Sequence, residues 1–301
     1  MKLIQHKKLI EEGIKVGDSK MFEQDKIWSR YSRDKVDIGE ELAKVIRVLD
    51  KALPLARLMR ALSVGSSDEP QFRILETAFR GGLYLLDIDN SALDIVRERL
   101  RRQHTGHVSC ICTDYKKIFN DAQKTRDFLR ERLAAGRLDL VTLHHSMYYC
   151  RECDWEAIIE NLFKFILARQ GAIHAVLMAS KSDNEYSTTW LYNHFAGKFC
   201  GCINDQDLKE FKKSLSMNPV FKGAQVFLKT HAVSFFVDDF AKFMSVAWMI
   251  LLYPDVHKYT LKQREEIAEF VYRRFWLKKQ PLVQLQDHLI IYKGIRFRGL
   301  I

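Results

Sequence analysis

A short apolar run, Ala61–Val64, ends in the turn Gly65-Ser66-Ser67, and a second apolar run, Leu83–Ile88, carries the carboxylate Asp87 near its end. Between them the pattern from Pro70 to Phe79 is helical. Strand, tight turn, helix and a second strand ending in an acid make the opening βαβ of a nucleoside-binding sheet. Gly65 lets the backbone turn sharply and lets a ligand approach it. Asp87 lies 22 residues further on, where a carboxylate can accept both ribose hydroxyl protons.

The turn also discriminates between nucleosides. The pyrophosphate of a dinucleotide needs glycines at all three places of G-x-G-x-x-G, so that it can lie against the start of the helix. Here only Gly65 is present; Ser67 stands at the second glycine's place, and Glu69 lies beside the third's. A glutamate beside a pyrophosphate repels it. S-adenosylmethionine carries no phosphate; it presents an ammonium, which an acidic side chain can face, and a carboxylate. The one-glycine turn with Asp68 and Glu69 therefore favours S-adenosylmethionine over NAD. The competing reading is an ordinary βα turn with no ligand.

Two more segments supply chemistry. A third strand, Val108–Cys112, runs into Thr113-Asp114-Tyr115, which places Asp114 where an acid can hydrogen-bond an adenine amino group; as a plain turn residue it needs no such role. A fourth strand, Leu138–Leu143, runs into His144-His145-Ser146-Met147-Tyr148-Tyr149. His144 and His145 have an ordinary pKa of about 6.5 and suit a general base; otherwise one packs under the loop and the other contacts the cofactor. Tyr148 and Tyr149 can shape an aromatic pocket for a cationic acceptor, with cation–π attraction of roughly 0.5–2 kcal/mol, or can serve as core. Trp28 and Tyr31, in the cluster Ile27–Tyr31, can close over a substrate or simply pack.

The elements that must hold these residues alternate. Residues 1–60 read as helices, with Pro54 as a break. Helix 70–80 stops at Gly81-Gly82. Asn90 or Ser91 caps the next helix, through Leu93, Ile95, Val96 and Leu100. Helix 116–135 ends at Gly136, and helix 154–168 ends near Gly171. Strand five is 172–179, nearly continuously apolar as expected of a central parallel strand. Beyond it, 187–195 and 205–216 read as helices, 225–237 as strand, 240–252 and 261–277 as helices and 287–292 as strand. The expected fold is α/β, a doubly wound, mostly parallel seven-stranded sheet with N-terminal helices and a C-terminal helical insertion. One domain is expected over 1–301: a helical cap (1–60), a nucleoside-binding core (61–237), a helical insertion (238–285), then the last strand and a basic tail. In such sheets ligands bind outside the carboxyl ends of the strands. Gly65, Asp87, Asp114 and His144 all fall at those ends.

Composition sets outer limits. Hydrophobic residues make up 47% of 301 residues, enough for a sizeable core. No apolar run is long enough to span a bilayer, and the basic start Met1–Lys8 lacks a signal-peptide core, so a cytoplasmic location and no membrane partner are expected. The net charge is +10, and ten Lys/Arg against five Asp/Glu lie from Asp255 onward. A basic segment of this kind either contacts RNA, an anionic membrane or an acidic partner, or is a solvated surface; no RNP1-like motif accompanies it. Cys110 and Cys112 share a strand and are expected to fill the core. Cys150-x-x-Cys153 with Cys200-x-Cys202 offers four thiolates to zinc, but the long separation favours reduced thiols, and no metal is expected.

From Ala61 to Ala179 the residues resemble a class I S-adenosylmethionine-dependent methyltransferase. The resemblance implies cofactor contacts at Ser63, Gly65, Ser66, Ser67, Glu69, Asp87, Ile88, Asp114, Tyr115 and His144: the turn holds the methionine part, Asp87 the ribose, Asp114 the adenine. Ser63 occupies the place, two before the glycine, where the family usually has an acid. The segment His144–Tyr149 would face the transferred methyl, which makes His144, His145 and Tyr149 the catalytic candidates and Trp28, Tyr31 and Tyr148 the acceptor-binding ones. The order Leu-His-His-Ser-Met-Tyr-Tyr, then Leu162–Leu167, then Trp190–Phe195 is loosely similar to histamine N-methyltransferase among the small-molecule members. The Asn/Asp-Pro-Pro-aromatic tetrad of nucleobase-amino and glutamine methyltransferases is absent after strand four.

The sequence thus leads to methyl transfer from S-adenosylmethionine to a small-molecule N or O acceptor. Positioning alone can contribute roughly 7–11 kcal/mol to lowering such a barrier. An RNA methyltransferase guided by the basic C-terminal segment, and a non-catalytic scaffold of the same fold, are the alternatives.

Overall fold

A computed structural model describes residues 2–65, 71–252 and 256–295. Among these the chain forms, in order, α1 (Lys2–Lys15), α2 (Met21–Tyr31), α3 (Asp34–Ala52), β1 (Arg60–Val64), α4 (Gln71–Ala78), β2 (Gly82–Asp87), α5 (Asn90–Arg102), β3 (Val108–Cys112), α6 (Tyr115–Phe119), α7 (Ala122–Arg132), β4 (Leu138–His144), α8 (Glu152–Asn161), β5 (Leu167–Met178), α9 (Thr188–Cys200), α10 (Leu208–Met217), β6 (Gln225–Phe235), α11 (Phe240–Ile250), α12 (Leu261–Val271) and β7 (Leu282–Lys293). The strands make one seven-stranded sheet in the order β3-β2-β1-β4-β5-β7-β6. The pairs β1–β2, β1–β4, β2–β3 and β4–β5 are parallel. The direction of winding reverses between β1 and β4, and this is the place where such sheets open a crevice.

By its internal contacts the chain divides into two compact units. One comprises residues 38–177, 208–229 and 287–301; the other comprises 1–37, 178–207 and 230–286.

In the first unit, alternation along each strand feeds two cores. Ala61, Leu83, Leu85, Leu140, Ala172, Ile290 and Tyr292 meet Leu42, Val45 and Leu49 of α3, Phe72 and Leu75 of α4, and Leu93, Val96 and Leu100 of α5. Residues of the opposite parity, among them Leu62, Val64, Val141, Leu143, Ile173 and Ile291, meet Phe128 of α7, Trp155 and Ile158 of α8, and Phe211 and Leu215 of α10. Each such side chain taken out of water contributes roughly 1.5–3 kcal/mol. β4, with helices over both faces, is buried at every residue.

The edge strand β3 keeps only Ile111 buried; Cys112 is exposed and Cys110 half-buried. Cys110 packs against the core, as expected, whereas the expectation fails for Cys112, which lies exposed at the end of this edge strand. Three boundaries also differ from expectation. Asp89, one residue before the expected caps, accepts from the N–H groups of Ser91 and Ala92 and starts α5. Asp121 accepts from Lys124 N at 2.8 Å and so splits the expected helix 116–135 into α6 and α7. α8 closes in one π-helical turn, Leu162–Ile166, and β5 begins at Leu167, with a register shift against β4 before Ala172.

In the second unit α1, α2, α9, α11, α12 and the ends of β6 and β7 surround Trp28, Phe195, Phe235, Phe243, Trp248 and Phe275. The indole N–H of Trp248 donates to Gly13 O at 2.7 Å. A Cβ on Gly13 would fall 2.7 Å from the Phe240 ring, so the glycine is what lets α1 approach α11 this closely.

Candidate active site

The site lies in the first unit, where the carboxyl ends of β3, β2, β1 and β4 stand side by side. Gly65 ends β1 with φ +73°, a conformation that side chains of L-residues rarely adopt. Its N–H donates to Leu86 O at 2.8 Å, which fastens the turn to the end of β2. A Cβ at Gly65 would fall 2.7 Å from Ser146 Cβ, so the segment after β4 fills the space above the turn. Ser66, Ser67 and Glu69 lie outside the described residues.

Asp87 ends β2, half-buried. Its Oδ1 accepts from Asp89 N at 2.9 Å, and its carbonyl accepts from Thr113 N at 2.9 Å, which ties the ends of β2 and β3. Burial pushes its carboxyl above the ordinary range, and the Asp89 charge adds to the rise; the N–H groups of Asp89 and Ile88 oppose it. Ile88, 68% exposed, presents an apolar surface beside it. Asp114 follows β3 and accepts from Lys116 N at 3.0 Å, so its carboxylate starts α6.

Tyr115 is buried. Its hydroxyl donates to Ser146 O at 2.9 Å and lies 3.3 Å from Cys150 Sγ, which pins the loop after β4 to the loop after β3. Burial, with the Cys150 thiol beside it, pushes this phenol far up, so it stays a neutral donor. Lys116 Nζ reinforces the link by donating to Tyr149 O at 2.9 Å. Ser146 Oγ is buried and makes no hydrogen bond among the described residues. A buried hydroxyl without a protein partner beside the left-handed Gly65 is a polar group that a bound ligand can satisfy. The residues present are thus compatible with S-adenosylmethionine.

The two histidines separate in role. His145 has φ +51°; its N–H donates to Val176 O, and its ring stacks on Tyr148 at 5.8 Å with Nδ1 3.3 Å from the phenol oxygen. His144, by contrast, is buried. Its Nε2 lies 3.1 Å from Nδ1 of His174 on β5, and Nε2 of His174 lies 3.2 Å from Nδ1 of His288 on β7. Beside them Thr142 Oγ1 donates to Ser63 Oγ at 2.8 Å. Ser63, Thr142, His144, His174 and His288 are all buried and form a polar stripe on β1, β4, β5 and β7 within an otherwise apolar face. Tyr149 is 49% exposed.

Gly65, Asp87, Asp114, Tyr115 and the segment His144–Tyr149 are thus brought together. Trp28 and Tyr31 belong to the other unit. There Trp28 is buried with its ring 5.6 Å from that of Phe235, and Tyr31 is exposed with the Arg30 guanidinium over its ring at 5.6 Å. Sequence reasoning missed His174, His288 and Ser146. The available signal was a lone histidine inside each of two apolar strand segments, Ala172–Leu177 and His288–Tyr292.

No protein-family model matches the sequence, and no curated protein matches it. Solved structures do. The YcgJ protein of Bacillus subtilis superposes with a TM-score of 0.51 at 11% identity, over 85% of this chain and 100% of its own. A Haemonchus contortus phosphoethanolamine N-methyltransferase, solved with phosphomonomethylethanolamine and S-adenosylhomocysteine, gives 0.45 at 11% identity, over 83% of this chain and 52% of its own. An rRNA methylase of Streptococcus thermophilus gives 0.42 at 8% identity, over 82% and 93%. Seven strands in the order β3-β2-β1-β4-β5-β7-β6, with helices on both faces, make this chain's fold the doubly wound, Rossmann-like α/β fold, which it shares with the YcgJ protein.

Proposed function

We propose that the chain transfers a methyl group from S-adenosylmethionine to a small-molecule N or O acceptor. The observation that carries this reading is the junction of Gly65 with Ser146 at the switch point of the sheet, flanked by Asp87 and Asp114 at the neighbouring strand ends. In this reading the turn at Gly65 receives the methionine part, Asp87 the ribose hydroxyls and Asp114 the adenine. The bound cofactor supplies an already activated sulfonium methyl. The protein's own tasks are to align the acceptor and to remove its proton, which falls to His144; Tyr148 and His145 form an aromatic wall beside it.

The charge distribution favours a small acceptor over RNA. Four of the eight cations described in the basic C-terminal segment are engaged with carboxylates: Arg273 with Glu269, Arg274 with Glu185, Lys279 with Asp238 at 3.6 Å and Arg264 with Asp18 at 2.9 Å. Cations already offset in this way release fewer counterions on binding a polyanion.

The test is direct. S-adenosylhomocysteine is expected to raise the melting temperature, and Asp87→Ala to abolish that shift. A panel of amine and phenol metabolites assayed with methyl-labelled cofactor, beside total RNA, then identifies the acceptor class. Label appearing only in RNA, with steeply salt-dependent binding, would replace the small-molecule reading.

A further inference from the structure

Cys200-Gly201-Cys202 closes α9 in the second unit, and the methyl-transfer reading gives it no task. Gly201 is left-handed, with φ +68° and ψ 18°. Its N–H donates to Gly197 O at 3.1 Å and that of Cys202 to Ala196 O at 3.2 Å, so the turn is fastened to the end of the helix. Helical dihedrals of either hand bend the chain sharply at the middle residue. Two links of about 3.8 Å then leave the Cα atoms of Cys200 and Cys202 about 5.5 Å apart, well inside the range that a disulfide bridges. The side chains converge too. Cys202 Sγ lies 3.5 Å from Cys200 O. Both sulfurs also bear on one hydroxyl, that of Tyr259: burial pushes the phenol up, and charge on either sulfur adds to the rise. Cys200 is exposed and Cys202 half-buried, and a Cβ built on Gly201 meets nothing within 4 Å, so the turn is open to a reagent. Cys110 and Cys112 make the contrast. They share the spacing but lie on β3, where a rise of about 3.3 Å per residue puts their Cα atoms about 6.6 Å apart, at the far edge of that range. Pairing with β2 holds them there.

We propose that Cys200 and Cys202 form a thiol–disulfide exchange site for low-molecular-weight disulfides of the glutathione type. The exposed Cys200, as thiolate, attacks one sulfur of glutathione disulfide. That S–S bond breaks, and the glutathione released takes up the proton that Cys200 gave to solvent. Cys202, as thiolate, then attacks the Cys200 sulfur of the mixed disulfide. The second glutathione leaves and is protonated in the same way. Two protein thiols are thus oxidised to one Cys200–Cys202 disulfide, and one glutathione disulfide is reduced to two glutathione thiols. A ring closed over a single residue gains little from chain entropy, and an exposed bond is readily attacked. The bond therefore reopens with the same reagents, which makes the pair a reversible modification site and not a staple of the fold.

The deciding measurement is mass mapping of the full chain, reduced, freed of reductant and equilibrated in buffers of graded glutathione to glutathione disulfide ratio. After acid quenching, unfolding and alkylation, trypsin cuts behind Lys198 and Lys209 and behind Arg102 and Lys116, which isolates each pair in its own peptide. Peptide 199–209 is expected to turn up unalkylated and two hydrogens lighter as the oxidised share rises, and to regain both alkyl groups in excess glutathione. Peptide 103–116 is expected to stay alkylated. Cys202→Ser is expected to leave glutathione trapped on Cys200. Gly201→Ala adds a methyl that meets no neighbour but disfavours the left-handed turn, and is expected to lower the closed fraction several-fold. Alkylation of both thiols of 199–209 at every ratio overturns the proposal, as does glutathione persisting on Cys200 while Cys202 is present. Equal closure in 103–116 or in Gly201→Ala does so as well. No cofactor or acceptor enters the measurement, so its failure leaves the methyl-transfer reading standing.

Discussion

Ser146 occupies the space that a side chain on Gly65 would need: a Cβ built there falls 2.7 Å from Ser146 Cβ. Positive φ and close approach thus act at one residue. Gly65→Ala is expected to cost about 1–3 kcal/mol from backbone strain, with the displaced Ser146 adding to it. Urea denaturation measures the loss. Calorimetry with S-adenosylhomocysteine should show binding weakened well beyond what the lost stability explains.

Asp87 makes ligand binding pH-dependent in a stated direction. Burial raises its carboxyl in the folded chain. The group's contribution to stability is therefore full below the unfolded pKa and is lost as pH rises through the folded value. Binding runs the other way, because ribose hydroxyls need an ionised acceptor. Affinity for S-adenosylhomocysteine should fall on acidification before the ordinary aspartate value of about 3.9 is reached. Titration calorimetry between neutral and mildly acid pH checks this. Asp87→Asn should bind weakly throughout and lose the slope.

Tyr115→Phe removes the hydroxyl that joins two loops and leaves Ser146 O without that donor. Ser146 O still accepts from Tyr149 N, so the expected loss is about 0.5–1.5 kcal/mol, the net contribution of one hydrogen bond. Hydrogen exchange should quicken in 145–151 and leave the second unit unchanged. Uniform loss of protection would show that the phenol contributes only bulk packing.

Lys293 gives a signal on the alkaline side. It donates to Phe163 O and Leu167 O and lies 4.8 Å from the centre of the Phe163 ring; burial and the Arg137 charge lower its pKa to about 8. An amine depressed in the folded state contributes stability that is present above the unfolded value of 10.5 and is lost as pH falls through about 8. The melting temperature of the parent chain should therefore rise relative to Lys293→Met as pH climbs through that window. Parallel curves would remove the assigned shift.

Most of the sheet was legible before any coordinates, because β1, β2, β3 and β4 alternate with helices at short spacing and each strand ends in a recognisable turn. Their boundaries hold to within a residue. What the sequence hid depends on neighbours that are remote in the chain. Cys112 reads like Cys110 until β3 is known to be an edge strand. The π-helical turn at 162–166 erases the expected boundary at Gly171, since nothing in Leu-Phe-Lys-Phe-Ile distinguishes it from one more α-helical turn. At the site the same holds: Gly65, Asp87 and Asp114 announce themselves by position, whereas His288 meets His174 only because β7 inserts between β5 and β6.

The Trp248–Gly13 hydrogen bond has a practical corollary for anyone cutting the chain to size. The opening helix, α1, supplies the oxygen that satisfies an indole 235 positions downstream. A fragment that drops only residues 1–60 would leave that indole and the neighbouring phenylalanines uncovered. Poor yield or aggregation of such a fragment would then report a missing lid on the second core, and an acceptor screen run on it would be silent for reasons unrelated to chemistry.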